Sequence, residues 1–134
     1  MASLSYRKRL WYPSIKDIKL VNKKMISDFR VTKAEKSRIY PLGEPKLKSA
    51  IIESKDYEGD IYDKAAILLR GINQAHAFES ANKRTAYFIS NMFLGKNRNY
   101  LMAKKREKQK EFALKVRQGD VSDKEISSWL EKGK

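Results

Sequence analysis

Two apolar segments of helical period stand almost end to end in this chain, Ile61 to Ala75 and Ala86 to Leu94, with one short polar stretch between them. In the first, Ile61, Ala65, Ala66, Leu68, Leu69 and Ile72 leave little polar face, the mark of a helix surrounded by others. In the second, Ala86, Phe88, Ile89, Met92, Phe93 and Leu94 are again largely apolar, and Gly95 is the expected stop. No segment shows convincing period-two alternation, so the chain must bury helix against helix. Whatever lies between two buried helices is then held from both sides.

The same spacing predicts four further helices. Ile15, Ile18, Val21, Met25 and Phe29 outline one over 15–29, opened by Ser14 and Asp17 as a capping box. Glu44 and Pro45 introduce another, with Leu47, Ala50 and Ile51 on one face and the Asp56–Asp60 stretch closing it. Leu101 to Val116 carries only a thin apolar stripe through Met102, Phe112, Ala113 and Val116, and Gly119 ends it. Ser122 with Glu125 caps a short final helix bearing Ile126, Trp129 and Leu130. Residues 30–44 lose periodicity and read as a loop long enough to have a use. With 134 residues and 41% hydrophobic content there is material for one core. The expected fold is all-α, a compact single-domain bundle of about six helices over 15–134, behind an N-terminal tail, 1–14.

The chain has no cysteine, which removes disulfides, thiolate metal sites and thiol catalysis and fits a reducing interior. No run approaches the length of a membrane span, and the opening lacks the apolar core of a signal peptide. A soluble, cytoplasmic protein with no membrane partner is expected. Thirty Lys plus Arg against sixteen Asp plus Glu leave a net charge of +14. Such an excess suits nucleic acid or an acidic protein and steers polyphosphates inward. Its densest run, Lys104 to Lys110, lacks interleaved aromatics, so a solvated helix face accounts for it as well.

Between the two apolar segments runs His76 to Arg84, HAFESANKR, with the only histidine of the chain. A helix start presents unpaired N–H groups and the positive end of the dipole, where anions settle. Ser80 is the expected N-cap, with Ala81, Asn82, Lys83 and Arg84 forming the first turn. Two cations and an amide at such a turn suit a polyphosphate, since lysine is a point charge and arginine a planar fork. His76, on the incoming loop, carries an imidazole that can take a proton from an attacking hydroxyl. Phe78 reads as the loop's apolar anchor.

These residues resemble the signature of the Fic and death-on-curing (Doc) family, His-x-Phe-x-acid-small-Asn-Gly/Lys-Arg, matched here by His76, Phe78, Ala81, Asn82, Lys83 and Arg84. Lys83, and Tyr87 in place of a second arginine, point to the Doc-like branch. The resemblance implies a helical bundle and a transferase that passes a phosphoryl or nucleotidyl group (AMPylation) from ATP to a protein hydroxyl. It implies His76 as general base, Asn82, Lys83 and Arg84 on the phosphates with Ser80 and Ala81 beside them, and an acid on magnesium. It further implies a toxin held by an antitoxin and acting on a translation factor.

One position departs from the signature. Ser80 stands where the family's metal-binding acid is expected, and the nearest carboxylate, Glu79, comes one residue early. Magnesium wants near-octahedral oxygen ligands, so three outcomes are open: weaker metal dependence, a shifted loop that brings Glu79 in, or reduced activity. Arg38 to Leu42 is a candidate for the family's flap, which lines up the target's backbone; a plain connector is the alternative. Ser54 to Gly59 fits the family's loose self-inhibitory pattern, with Glu58 as the blocking acid, or simply ends a helix. The alternative to an enzyme is a basic nucleic-acid-binding or protein-interaction module with a degenerate, inactive Fic site.

Overall fold

The computed structural model describes residues 9–29, 36–97, 115 and 121–132. Five helices stand among them: α1 Ile15–Phe29, α2 Gly43–Asp56, α3 Ile61–Ala75, α4 Asn82–Lys96 and α5 Asp123–Lys132. The fold is all-helical, and among the described residues one extended pairing joins Ile39 to Phe78. The helix expected over 101–116 and its stop at Gly119 lie outside the described residues, apart from Lys115, which is helical and exposed. No helix among the described residues is long and apolar enough to cross a membrane.

α3 is the axis, packing against α2, α4 and α5. Its apolar circumference explains the position: Ala65 to Leu69 are buried without a break, and Ile72 and Ala75 continue the buried face. Each such leucine or isoleucine contributes roughly 1.5–3 kcal/mol relative to exposure. Gly71 lets α2 approach closely, since a Cβ there would lie 2.5 Å from that of Ala50. α1 packs on α4 and more lightly on α2, burying Ile18, Val21, Met25 and Ile26.

Three of the helix starts are closed by reciprocal capping, as local chemistry dictates. Ser14 and Asp17 exchange hydrogen bonds of 2.8 and 3.1 Å, and Ser122 and Glu125 exchange two of 3.1 Å. Asp60 and Asp63 do the same for α3, at 2.8 and 3.0 Å, from the polar segment that ends α2. α2 begins at Gly43, one residue ahead of the expected Glu44. α4 runs past Gly95 to Lys96, because Asn97 satisfies the helix end by donating to the Phe93 carbonyl at 2.8 Å. Asn97 also exchanges hydrogen bonds of 2.8 and 3.1 Å with the backbone of Trp11, and Tyr12 lies on Phe93 with ring centroids 5.3 Å apart. Phe88, expected on the apolar face of α4, is instead 36% exposed.

Arg70 staples three helices at once. Its guanidinium reaches Glu53 of α2 and Asp123 of α5, the latter through Nε at 2.6 Å. Near the other end of α3, Lys64 Nζ donates to the carbonyls of Ser54, Lys55 and Tyr57, closing the C-terminus of α2. Ser54 is buried and donates to the Lys64 carbonyl at 2.8 Å. The stretch that fitted a self-inhibitory pattern is therefore the α2–α3 corner. Glu58 lies at the start of α3, a helix of 15 residues or about 20 Å from its far end, where His76 stands.

Candidate functional site

α3 ends and α4 begins within six residues, and the reversal needs two non-glycine residues in left-handed conformation. His76, at φ 44° and ψ 47°, ends α3, and Ala81, at φ 65° and ψ 29°, opens α4. Side chains other than glycine lose on the order of 1–3 kcal/mol in such wells and stay there only where their surroundings impose it. The cap of α4 is thus Ala81 and not the expected Ser80, and no side chain caps the helix. The serine is diverted: its carbonyl accepts from Asn22 at 2.9 Å, and its Oγ accepts the Lys36 N–H at 3.3 Å. The first intrahelical bond runs from the Thr85 N–H to the Ala81 carbonyl at 3.0 Å. The first-turn N–H groups of α4 precede this ladder, which is the anion-attracting arrangement.

Inside the loop, Phe78 is the anchor the sequence suggested, only 1% exposed, with Ala77 buried beside it. Asn82, 6% exposed, folds its carboxamide back onto Phe78 and brings Nδ2 to 3.4 Å from His76 Nδ1. His76 is exposed, with the ring of Tyr40 stacked on it at 6.5 Å between centroids. Lys83 and Arg84 are half-buried on the first turn, and Arg84 Nη1 approaches the Met25 carbonyl of α1 at 3.4 Å. The six signature residues are thus gathered on one loop and one helix turn.

The segment ahead of α2 is more than a connector. Tyr40 donates its N–H to the Ala77 carbonyl at 2.8 Å, and Glu79 donates to the Arg38 carbonyl at 2.7 Å. Residues 38–40 thereby run antiparallel to 77–79, while Arg38, Tyr40, Pro41 and Leu42 stay exposed. Gly43 permits the approach, because a Cβ there would stand 2.7 Å from Ile39 Cγ1 and 2.8 Å from the Ala77 carbonyl.

Over residues 12–94, well over half of the 134-residue chain, the sequence matches the Fic/DOC family. The chain belongs to the Fic/DOC family. A search of curated proteins found no match. Within the Fic/DOC frame the departures have structural meaning. Tyr87, where some members carry a second arginine, is buried and set edge-on against Trp129 of α5 at 5.7 Å, so this position faces the core. Burial also raises the pKa of the Tyr87 phenol far above its ordinary value. At the metal position, Ser80 offers a hydroxyl already paired with Lys36 N–H, and Glu79 is exposed. Among the described residues no group of three or more His, Cys, Asp or Glu is placed to hold a metal ion. A donor set of one carboxylate and one hydroxyl would suit a magnesium ion held mainly by other ligands.

Sequence patterns alone passed over Asn22, Ser37 and Thr85, which shape this site, and read Gly43 only as a loop residue. A signal existed for Asn22, a polar residue four after Ile18 and three before Met25, squarely on the apolar stripe of α1.

Proposed function

We propose that this Fic/DOC chain is a Doc-like toxin that transfers the terminal phosphoryl group of ATP to a hydroxyl of a target protein, with nucleotidyl transfer in the same cradle as the alternative outcome. The observation that carries it is the meeting of an exposed imidazole with an uncapped, dication-bearing helix start across a loop of five residues. The N–H groups of the first α4 turn, with Lys83 and Arg84, hold the phosphates and stabilise charge developing on the transferred group. Ser80 and Ala81 line the approach, and Asn82 shapes it. The acceptor oxygen attacks phosphorus, its proton passes to His76, and the bond to the leaving ADP breaks. In the nucleotidyl alternative the leaving group is pyrophosphate.

Magnesium would be held by the nucleotide with Glu79 or Ser80, and would supply neutralisation of phosphate charge. Residues 38–42 are the docking edge for the target's backbone, because strand pairing with 77–79 leaves the N–H and C=O of Ile39 directed to the other side. A translation factor as target and a small antitoxin partner, in a cytoplasmic setting, complete the proposal, and a net charge of +14 suits an acidic neutralising partner.

Incubation of the purified chain with a cell extract and ATP labelled at the alpha or gamma phosphate, with and without magnesium, tests this. Gamma label on protein means phosphoryl transfer, alpha label means nucleotidyl transfer, and both should vanish in His76→Ala. Label that survives that substitution would remove His76 from its role. The absence of label from the native chain would leave a binding module with a degenerate site.

A further inference from the structure

We infer that Asn22, a residue of α1 outside the signature, is the positioning residue of the phosphate turn, holding Ala81 in its left-handed conformation from behind. This rests on the ATP-handling role proposed above. Asn22 is completely buried, and its carboxamide has three partners. Nδ2 donates to the Ser80 carbonyl at 2.9 Å and to Thr85 Oγ1 at 3.0 Å, and Oδ1 accepts from Ser37 Oγ at 2.7 Å. The Ser80 carbonyl sets which way the amide faces, since it can only accept and so requires Nδ2 on its side. The two donors are thereby aimed at the turn.

The relay continues one step further. Having accepted from Asn22, Thr85 Oγ1 donates to the Ala81 carbonyl at 2.7 Å, which also receives the Thr85 N–H at 3.0 Å. The peptide units on both sides of the Ala81 Cα are thus gripped, one through the Ser80 carbonyl and the other through the Ala81 carbonyl. A left-handed alanine returns to an ordinary well unless both flanks are fixed. Rotation there would swing the N–H groups of Asn82, Lys83 and Arg84 away from a common focus. Asn22 touches no phosphate in this scheme, and its effect on ATP passes through the backbone it holds.

The test is ATP affinity of the full-length chain, measured by titration calorimetry well below each variant's Tm. Asn22→Asp and Asn22→Leu each remove the donors and should weaken ATP about tenfold, the equivalent of one good hydrogen bond. Loss confined to the Asp variant would be charge repulsion and would overturn the inference. Thr85→Ser keeps the relay and should bind within about twofold of the native chain, while Thr85→Val should bind several-fold more weakly. That pair decides the matter should either Asn22 variant fail to fold. Lower Tm with unchanged ATP affinity in Thr85→Val would reduce the network to mere stability and overturn the inference. Failure of the native chain to bind ATP would sink the proposed function and this inference together, whereas native-like binding by the variants sinks only the latter.

Discussion

Asn82 closes on Phe78 with both ends of its carboxamide: Oδ1 accepts the Phe78 N–H at 3.0 Å, and Nδ2 donates to the Phe78 carbonyl at 2.8 Å. In a loop that must expose His76 two residues earlier, this clamp converts a buried anchor into a fixed bearing for the imidazole. Asn82→Ala leaves a buried N–H and C=O without partners and should cost about 2–4 kcal/mol. Denaturant unfolding measures the loss. The single histidine of the chain offers a second readout, because its one set of imidazole proton resonances should broaden or shift as the ring loses its bearing.

Gly43 is where α2 meets the same loop. The contact that a Cβ would make at 2.8 Å is with the Ala77 carbonyl, a backbone atom that also accepts the Tyr40 N–H. Gly43→Ala gains up to about 1 kcal/mol of helix propensity, yet the clash forces the loop to move. The expected net change is a loss of about 1–3 kcal/mol. Amide exchange should quicken at Tyr40 and Glu79, the two N–H groups that pair the segments; unchanged protection at both would refute the assignment.

Tyr87 carries a buried hydroxyl with no hydrogen-bond partner among the described residues. Tyr87→Phe keeps the ring against Trp129 and removes that hydroxyl, so stability at neutral pH should rise by about 1 kcal/mol. Burial holds the phenol's folded pKa above the unfolded value of 10.0. The protonated form is therefore favoured by folding, and that contribution is complete below pH 10 and is lost as pH rises above it. Alkaline denaturation of the native chain should accordingly be delayed in Tyr87→Phe, as followed by far-UV circular dichroism.

Arg70 joins α2, α3 and α5 through Glu53 and Asp123, with a side chain 22% exposed against 51% and 39% for its partners. Solvent around the carboxylates limits the value of the pairs. Arg70→Met, which retains most of the apolar stem, should cost only about 1–2 kcal/mol, and the difference from the native chain should shrink in 0.5 M salt, taken as roughly a 4–5 Å screening length. A loss insensitive to salt would place the effect in packing instead.

The periodicity of the apolar residues was sufficient for the bundle. α1 and α3 fall on the residues their spacing predicts, and the caps at Ser14 and Ser122 form as three-residue chemistry requires. Interactions this local are complete within one turn of chain, so sequence order and spatial order coincide. The signature residues were legible for a similar reason, since six of them sit within nine positions.

What the sequence could not disclose lies across distance. Ser80 is a good N-cap by type, but Asn22, 58 residues away, takes its carbonyl, and the helix starts from a left-handed Ala81 instead. Thr85 is joined to the same asparagine over 63 residues, and residues 38–40 meet 77–79 only because Gly43 allows α2 to close. Local preference separates these outcomes by only about 1 kcal/mol, within reach of a single buried hydrogen bond. The sequence by itself determined where the described helices form and which residues make up the family signature; the tertiary contacts decided the backbone conformation that presents them.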